Sequence, residues 1–95
     1  MKQTTSTFKL GIFQFTPKKG DIQANWEKVE SAANEAAGAG VELLLLPELW
    51  ATGPIGKADT DLAHEIPEVL SRLKALAQAD KILIAGTLPE FVRKE

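Results

Sequence analysis

The spacing of hydrophobic positions changes along the chain, and each change marks the border of an element. From Phe8 to Phe15 the stretch FKLGIFQF alternates in part and is rich in Ile and Phe, which predicts a strand. Gly11 weakens that strand slightly and lets another backbone approach closely. In TPKKGD, Pro17 and Gly20 are turn residues, and Asp21 is placed to cap a helix by accepting from the free amides of its first turn. Ile22, Trp26, Val29, Ala33 and Ala36 or Ala37 then form one apolar stripe at helical spacing. Gly38 or Gly40 can supply the left-handed residue that ends the helix. Val41 to Leu46 is an apolar run broken only by Glu42, as expected of a strand buried on both faces of a parallel sheet.

After Trp50 the stretch ATGPIGKADTD has strong turn character. A second helix is expected from about Ile66, with Pro67 tolerated in its first turn and Leu62 in a preceding turn. Its buried stripe is Ile66, Val69 or Leu70, Leu73, and Leu76 or Ala77. Ile82 to Ala85 is a third strand, closed by Gly86, and TLPEFVRKE is a loose end. Residues 1–7, MKQTTST, read as a disordered or tag-like start.

The predicted order is β-α-β-α-β, an α/β unit with right-handed crossovers and parallel strands. In open α/β sheets ligands bind beyond the carboxyl ends of the strands, which here are Gln14 to Thr16, Pro47 to Trp50 and Gly86 to Leu88. Glu48, in LLLLPELW, therefore stands where this architecture puts chemistry. On topology alone it is equally a solvated carboxylate at the start of a loop.

Composition removes several alternatives. A chain of 95 residues with 44% hydrophobic and 25% charged residues makes one small globular domain. The net charge of −2, with no basic stripe, argues against nucleic acid, and Lys18-Lys19 is too small a patch to change that. No apolar run approaches the ~18 residues of a membrane span, and the polar start does not resemble a signal peptide, so no membrane partner and a cytoplasmic location are expected. There is no cysteine, hence no disulfide, no thiolate metal site and no thiol nucleophile. His64 is the single histidine and lacks partners at ligand spacing, so no metal site is expected.

The segment KLGIFQFTPKKGDIQANWEKV, continued by GVELLLLPELWATGP, resembles the opening of the nitrilase, or carbon–nitrogen hydrolase, superfamily. The resemblance rests on a first strand ending in Gln14, on Gly20-Asp21 followed by Asn25, and on Pro47-Glu48-Leu49 with Thr52-Gly53 behind it. IAGTLPE, Ile84 to Glu90, is similar to the family's next strand and its exit. It implies the N-terminal β-α-β-α-β portion of the nitrilase-type α-β-β-α sandwich. Residues 8–95 would then be a partial domain that stops before the lysine and cysteine of a Glu–Lys–Cys triad. The implied chemistry is hydrolysis of a small amide, nitrile or carbamoyl compound, without a cofactor. In it a carboxylate deprotonates a thiol that is barely ionised at neutral pH and later returns the proton to the leaving amine. A lysine opposes the charge on the tetrahedral oxygen.

By motif, Glu48 is the family's general base. Lys94 follows Glu90 too closely and lacks the family surroundings of the triad lysine, and no residue replaces the cysteine. The chain by itself is therefore expected to be catalytically incomplete. Asn25 either hydrogen-bonds neighbouring loops or is an exposed helical asparagine. Trp26 is expected in the core. Trp50 either packs under the loop or lines a substrate pocket beside Glu48, and Thr52 and Gly53 shape the turn. Three strands leave an unpaired edge and an uncovered face, so the chain is expected to form a homo-oligomer or to be marginally stable. The alternative to a hydrolase segment is a small non-enzymatic α/β module for association or binding.

Overall fold

The computed structural model describes residues 7–55, 62 and 64–89. Most of the start expected to be tag-like, the middle of the loop after Trp50, Glu90 of the IAGTLPE stretch, Lys94 and the rest of the loose end lie outside the described residues. The elements are β1 (Leu10–Ile12), α1 (Ile22–Gly38), β2 (Leu43–Leu45), α2 (Ile66–Asp80) and β3 (Leu83–Ala85). This is the expected β-α-β-α-β order. The three strands form one parallel sheet in the order β1-β2-β3, in which Leu10, Leu43 and Leu83 are in register, as are Ile12, Leu45 and Ala85.

The strands are shorter than their hydrophobic runs because the ladder needs partners. Pairing extends one bond beyond β1, where the Phe13 amide donates to the Leu45 carbonyl. On β2 it continues to the Leu46 amide, which donates to the Ala85 carbonyl, and stops at Pro47, which has no amide to offer. Asp21 caps α1 as expected, its carboxylate accepting from the Ala24 amide at 3.0 Å. Of the two candidate terminators, Gly40 takes the left-handed conformation (φ 79°), while Gly38 remains helical. Helix α2 starts with Pro67 in its first turn and ends at Lys81, itself left-handed at φ 55°, a terminator that no glycine marked.

The two helices pack on each other and on one face of the sheet. The core there is Ile22, Trp26, Val29 and Ala33 of α1, Leu44 of β2, Val69 and Leu76 of α2, with Ile82, Trp50 and Ala51. Val69, not Leu70, is the inward residue at that turn of α2. The opposite face is open. Leu10, Ile12 and Leu83 are exposed, and Leu43 and Leu45 are only half-buried. The expectation that the leucine run is buried on both faces is thus met on one face alone, because α1 and α2 lie on the same side of the sheet. No helix among the described residues is long and apolar enough to cross a membrane.

Candidate active site

Pro47 ends the β2 ladder, and the chain then folds into a tight turn over Glu48 to Thr52. Leu49 adopts φ 49°, a conformation that costs an ordinary L-residue about 1–2 kcal/mol. The turn repays part of this within itself: the Leu49 carbonyl accepts from the Thr52 amide at 3.2 Å and from the Gly53 amide at 2.7 Å. From outside, the Leu49 amide donates to Thr87 Oγ1, just past the end of β3, at 2.8 Å. Glu48 is exposed at the carboxyl edge of the sheet, and among the described residues no hydrogen bond engages its carboxylate.

Asn25 is what ties this turn to the rest of the edge. It is wholly buried near the start of α1. Its Oδ1 accepts from the Lys18 amide at 2.8 Å, while Nδ2 donates to the carbonyls of Lys18 at 2.9 Å and Ala51 at 2.7 Å. One side chain therefore joins the loop after β1 to the turn after β2. Of the two readings of Asn25, the buried one holds. A parallel backbone link runs from the Gly20 amide to the Thr52 carbonyl at 2.8 Å. Thr52 is also wholly buried, its hydroxyl donating to the Gly53 carbonyl. Gly53 is left-handed (φ 70°), the conformation its lack of a side chain serves, and a Cβ there would meet Pro17 and Lys19 at ordinary contact distance.

Trp50 is wholly buried, stacked obliquely on Trp26 with ring centroids 6.3 Å apart. A Cβ on Gly86 would fall 2.9 Å from Trp50 Cδ1 and 3.1 Å from Leu46 Cβ, so Gly86 is what lets the exit of β3 lie on the ring. The indole N–H has no partner among the described residues, a buried donor left unsatisfied at a cost of about 1–3 kcal/mol. Packing is the reading of Trp50 that this geometry shows. Gln14 is exposed at the same edge, one residue beyond the last β1 pairing, and among the described residues no hydrogen bond joins it to Glu48.

Glu48 and Gln14 are thus exposed at this edge, and Asn25, Thr52 and Gly53 hold the turn that carries Glu48. A groove of about 710 Å³ lies elsewhere, between α1 and the free side of β1, lined by Gly11, Ile12, Lys28 and Ala32 among others. It does not reach Glu48. Among the described residues no three His, Cys, Asp or Glu side chains gather as a metal site would require. The sequence pattern did not single out Thr87, since nothing local distinguishes a hydroxyl that meets an amide 38 residues away. Its only signal was its place in the exit of a strand.

Comparison with known proteins gives the edge its context. The sequence profile of the family described as carbon-nitrogen hydrolase matches residues 9–95. No curated protein matches the chain. Among solved structures, an amidase from Nesterenkonia sp. superposes with a TM-score of 0.79 at 28% identity, over 87% of this chain and 32% of that one. A double mutant of the Nesterenkonia amidase, with a glutamate changed to glutamine and a cysteine to alanine, is in complex with acrylamide. It matches with a TM-score of 0.82 at 26% identity, over 95% and 35% of the two chains. A mutant of that amidase with a cysteine changed to alanine is in complex with butyramide. It matches with a TM-score of 0.78 at 28% identity, over 86% and 32%. The chain spans about a third of the length of these amidases.

Proposed function

Since the chain belongs to the carbon–nitrogen hydrolase family, we propose that it contributes the general base, Glu48, to a centre that hydrolyses small amides. The observation that carries this is the position of Glu48: a solvent-facing carboxylate on a strained turn at the carboxyl edge of a parallel sheet, with that turn anchored by the buried Asn25. In the reaction, Glu48 takes the proton of a cysteine thiol as the sulfur attacks the amide carbon. The proton then goes to the nitrogen of the leaving amine, and Glu48 next deprotonates the water that releases the acyl group. These 95 residues contain no cysteine, so the thiol comes from outside them, and so does the lysine that steadies the tetrahedral oxygen. Small amides are favoured over nitriles or carbamoyl compounds by the acrylamide and butyramide held by the similar amidases.

A base without a nucleophile does not turn over. The chain alone is expected to release no ammonia from butyramide above the buffer rate. Turnover by the isolated chain, lost in Glu48→Gln, would require a different nucleophile and would overturn the triad reading. We further propose that copies of the isolated chain associate through the open sheet face bearing Leu10, Ile12 and Leu83. Sedimentation is expected to give a species heavier than one chain, and Ile12→Lys with Leu83→Lys to return it to a monomer. A monomeric unaltered chain with a sharp, cooperative thermal transition would refute this.

A further inference from the structure

We propose that Thr87 is a positioning residue for Glu48, acting through the peptide that joins Glu48 to Leu49; the inference rests on the reading of Glu48 as the base. Among the described residues nothing grips the Glu48 carboxylate, so its direction depends on the backbone that carries it. On one side Pro47 locks that backbone at its own φ. On the other side stands Leu49, whose left-handed φ of 49° is a conformation a leucine leaves unless it is held. Its carbonyl is held within the turn by the amides of Thr52 and Gly53. Among the described residues its amide has a single acceptor, Thr87 Oγ1 at 2.8 Å. That amide shares a peptide plane with the Glu48 carbonyl, so fixing its direction fixes the ψ angle of Glu48.

The hydroxyl is itself well placed for this. The exit of β3 is pressed against the turn, because Gly86 leaves room for Trp50 and the Leu46 amide bonds the Ala85 carbonyl at 2.8 Å. Thr87 follows directly, and its β-branched side chain has few rotamers to choose from. Two strand exits, far apart in sequence, are thereby joined at the residue next to the carboxylate.

The test is amide hydrogen exchange and NMR on the isotope-labelled chain, comparing Thr87→Val, which keeps the shape and removes the acceptor, with Thr87→Ser, which keeps the hydroxyl. In the unaltered chain the Leu49 amide is expected to be protected. Thr87→Val should speed its exchange by about tenfold or more and shift the Glu48 carbonyl-carbon and Leu49 nitrogen signals, while the Val29 and Leu44 amides stay protected. Thr87→Ser should restore both readings. An unprotected Leu49 amide in the unaltered chain, unchanged protection in Thr87→Val, or equal loss at Leu49, Val29 and Leu44 would each overturn the proposal. If Thr87→Val does not fold, Thr87→Ser decides: protection retained at Leu49 supports the role, and protection lost there alone refutes it. The base assignment fails separately, through a Glu48→Gln variant that stays fully active when residues 9–95 are joined to the rest of a similar amidase, and that result would leave the Leu49–Thr87 measurement as it stands.

Discussion

Asn25→Ala is expected to lower the melting temperature of the chain by roughly 15 °C or more, enough to leave much of it unfolded near body temperature. The substitution removes three hydrogen bonds at once from a wholly buried position. It also strands the Lys18 amide and the Ala51 carbonyl, while the Lys18 carbonyl keeps the Asp21 amide as a donor at 3.1 Å. Each buried group stranded in this way costs about 1–3 kcal/mol. Lys18 is itself exposed, so water recovers part of its share, and the sum is on the order of 3–5 kcal/mol. A domain of this size has only about 5–14 kcal/mol in total. Asn25→Asp should be nearly as harmful, because a carboxylate cannot donate to the two carbonyls and places a charge beside them. Thermal unfolding followed by circular dichroism checks both variants. A melting temperature within about 2 °C of the unaltered chain would mean that Asn25 does not clamp the edge.

That residue also marks the border between what the sequence discloses and what it does not. The elements were legible because their signals are local: the stripe from Ile22 to Ala33, the Asp21 cap, the punctuation by Pro17, Gly20 and Gly40. The β-α-β-α-β order and the parallel sheet followed from those elements and the lengths of their connections. The place of Glu48 at the carboxyl edge was legible too, since a carboxylate one residue past a strand's closing proline is a pattern within a few positions. Asn25 stayed ambiguous because its partners, Lys18 and Ala51, are brought to it only when the strands pair. Trp50 was ambiguous for the same reason: whether an aromatic next to a strand end faces core or solvent is decided by Gly86, 36 residues on. The leucine run reads as buried on both faces because four leucines carry no alternation to say which side is open. The placement of both helices on one side settles that, and no single strand encodes it.

The second large effect concerns chemistry rather than stability. Glu48→Gln keeps the size and shape of an exposed side chain, so the melting temperature should be almost unchanged. What is lost is the ability to accept a proton. General-base assistance contributes typically about 10²–10⁴-fold to a hydrolytic rate, and in the proposed reaction the base would serve both the thiol and the water. The loss should fall mainly on kcat, because glutamine still fills the space beside the substrate and can still hydrogen-bond it.

The central claim is that this segment supplies the base and that the nucleophile lies elsewhere. It is tested most directly by joining residues 9–95 to the remaining two thirds of the Nesterenkonia amidase, in place of the third that they match, and assaying ammonia release from butyramide. The hybrid carrying Glu48 should hydrolyse the amide. The same hybrid with Glu48→Gln should fold equally well and lose about 10²–10⁴-fold of that activity. A glutamine hybrid that hydrolyses butyramide as fast as the glutamate one would contradict the assignment of Glu48 as the base.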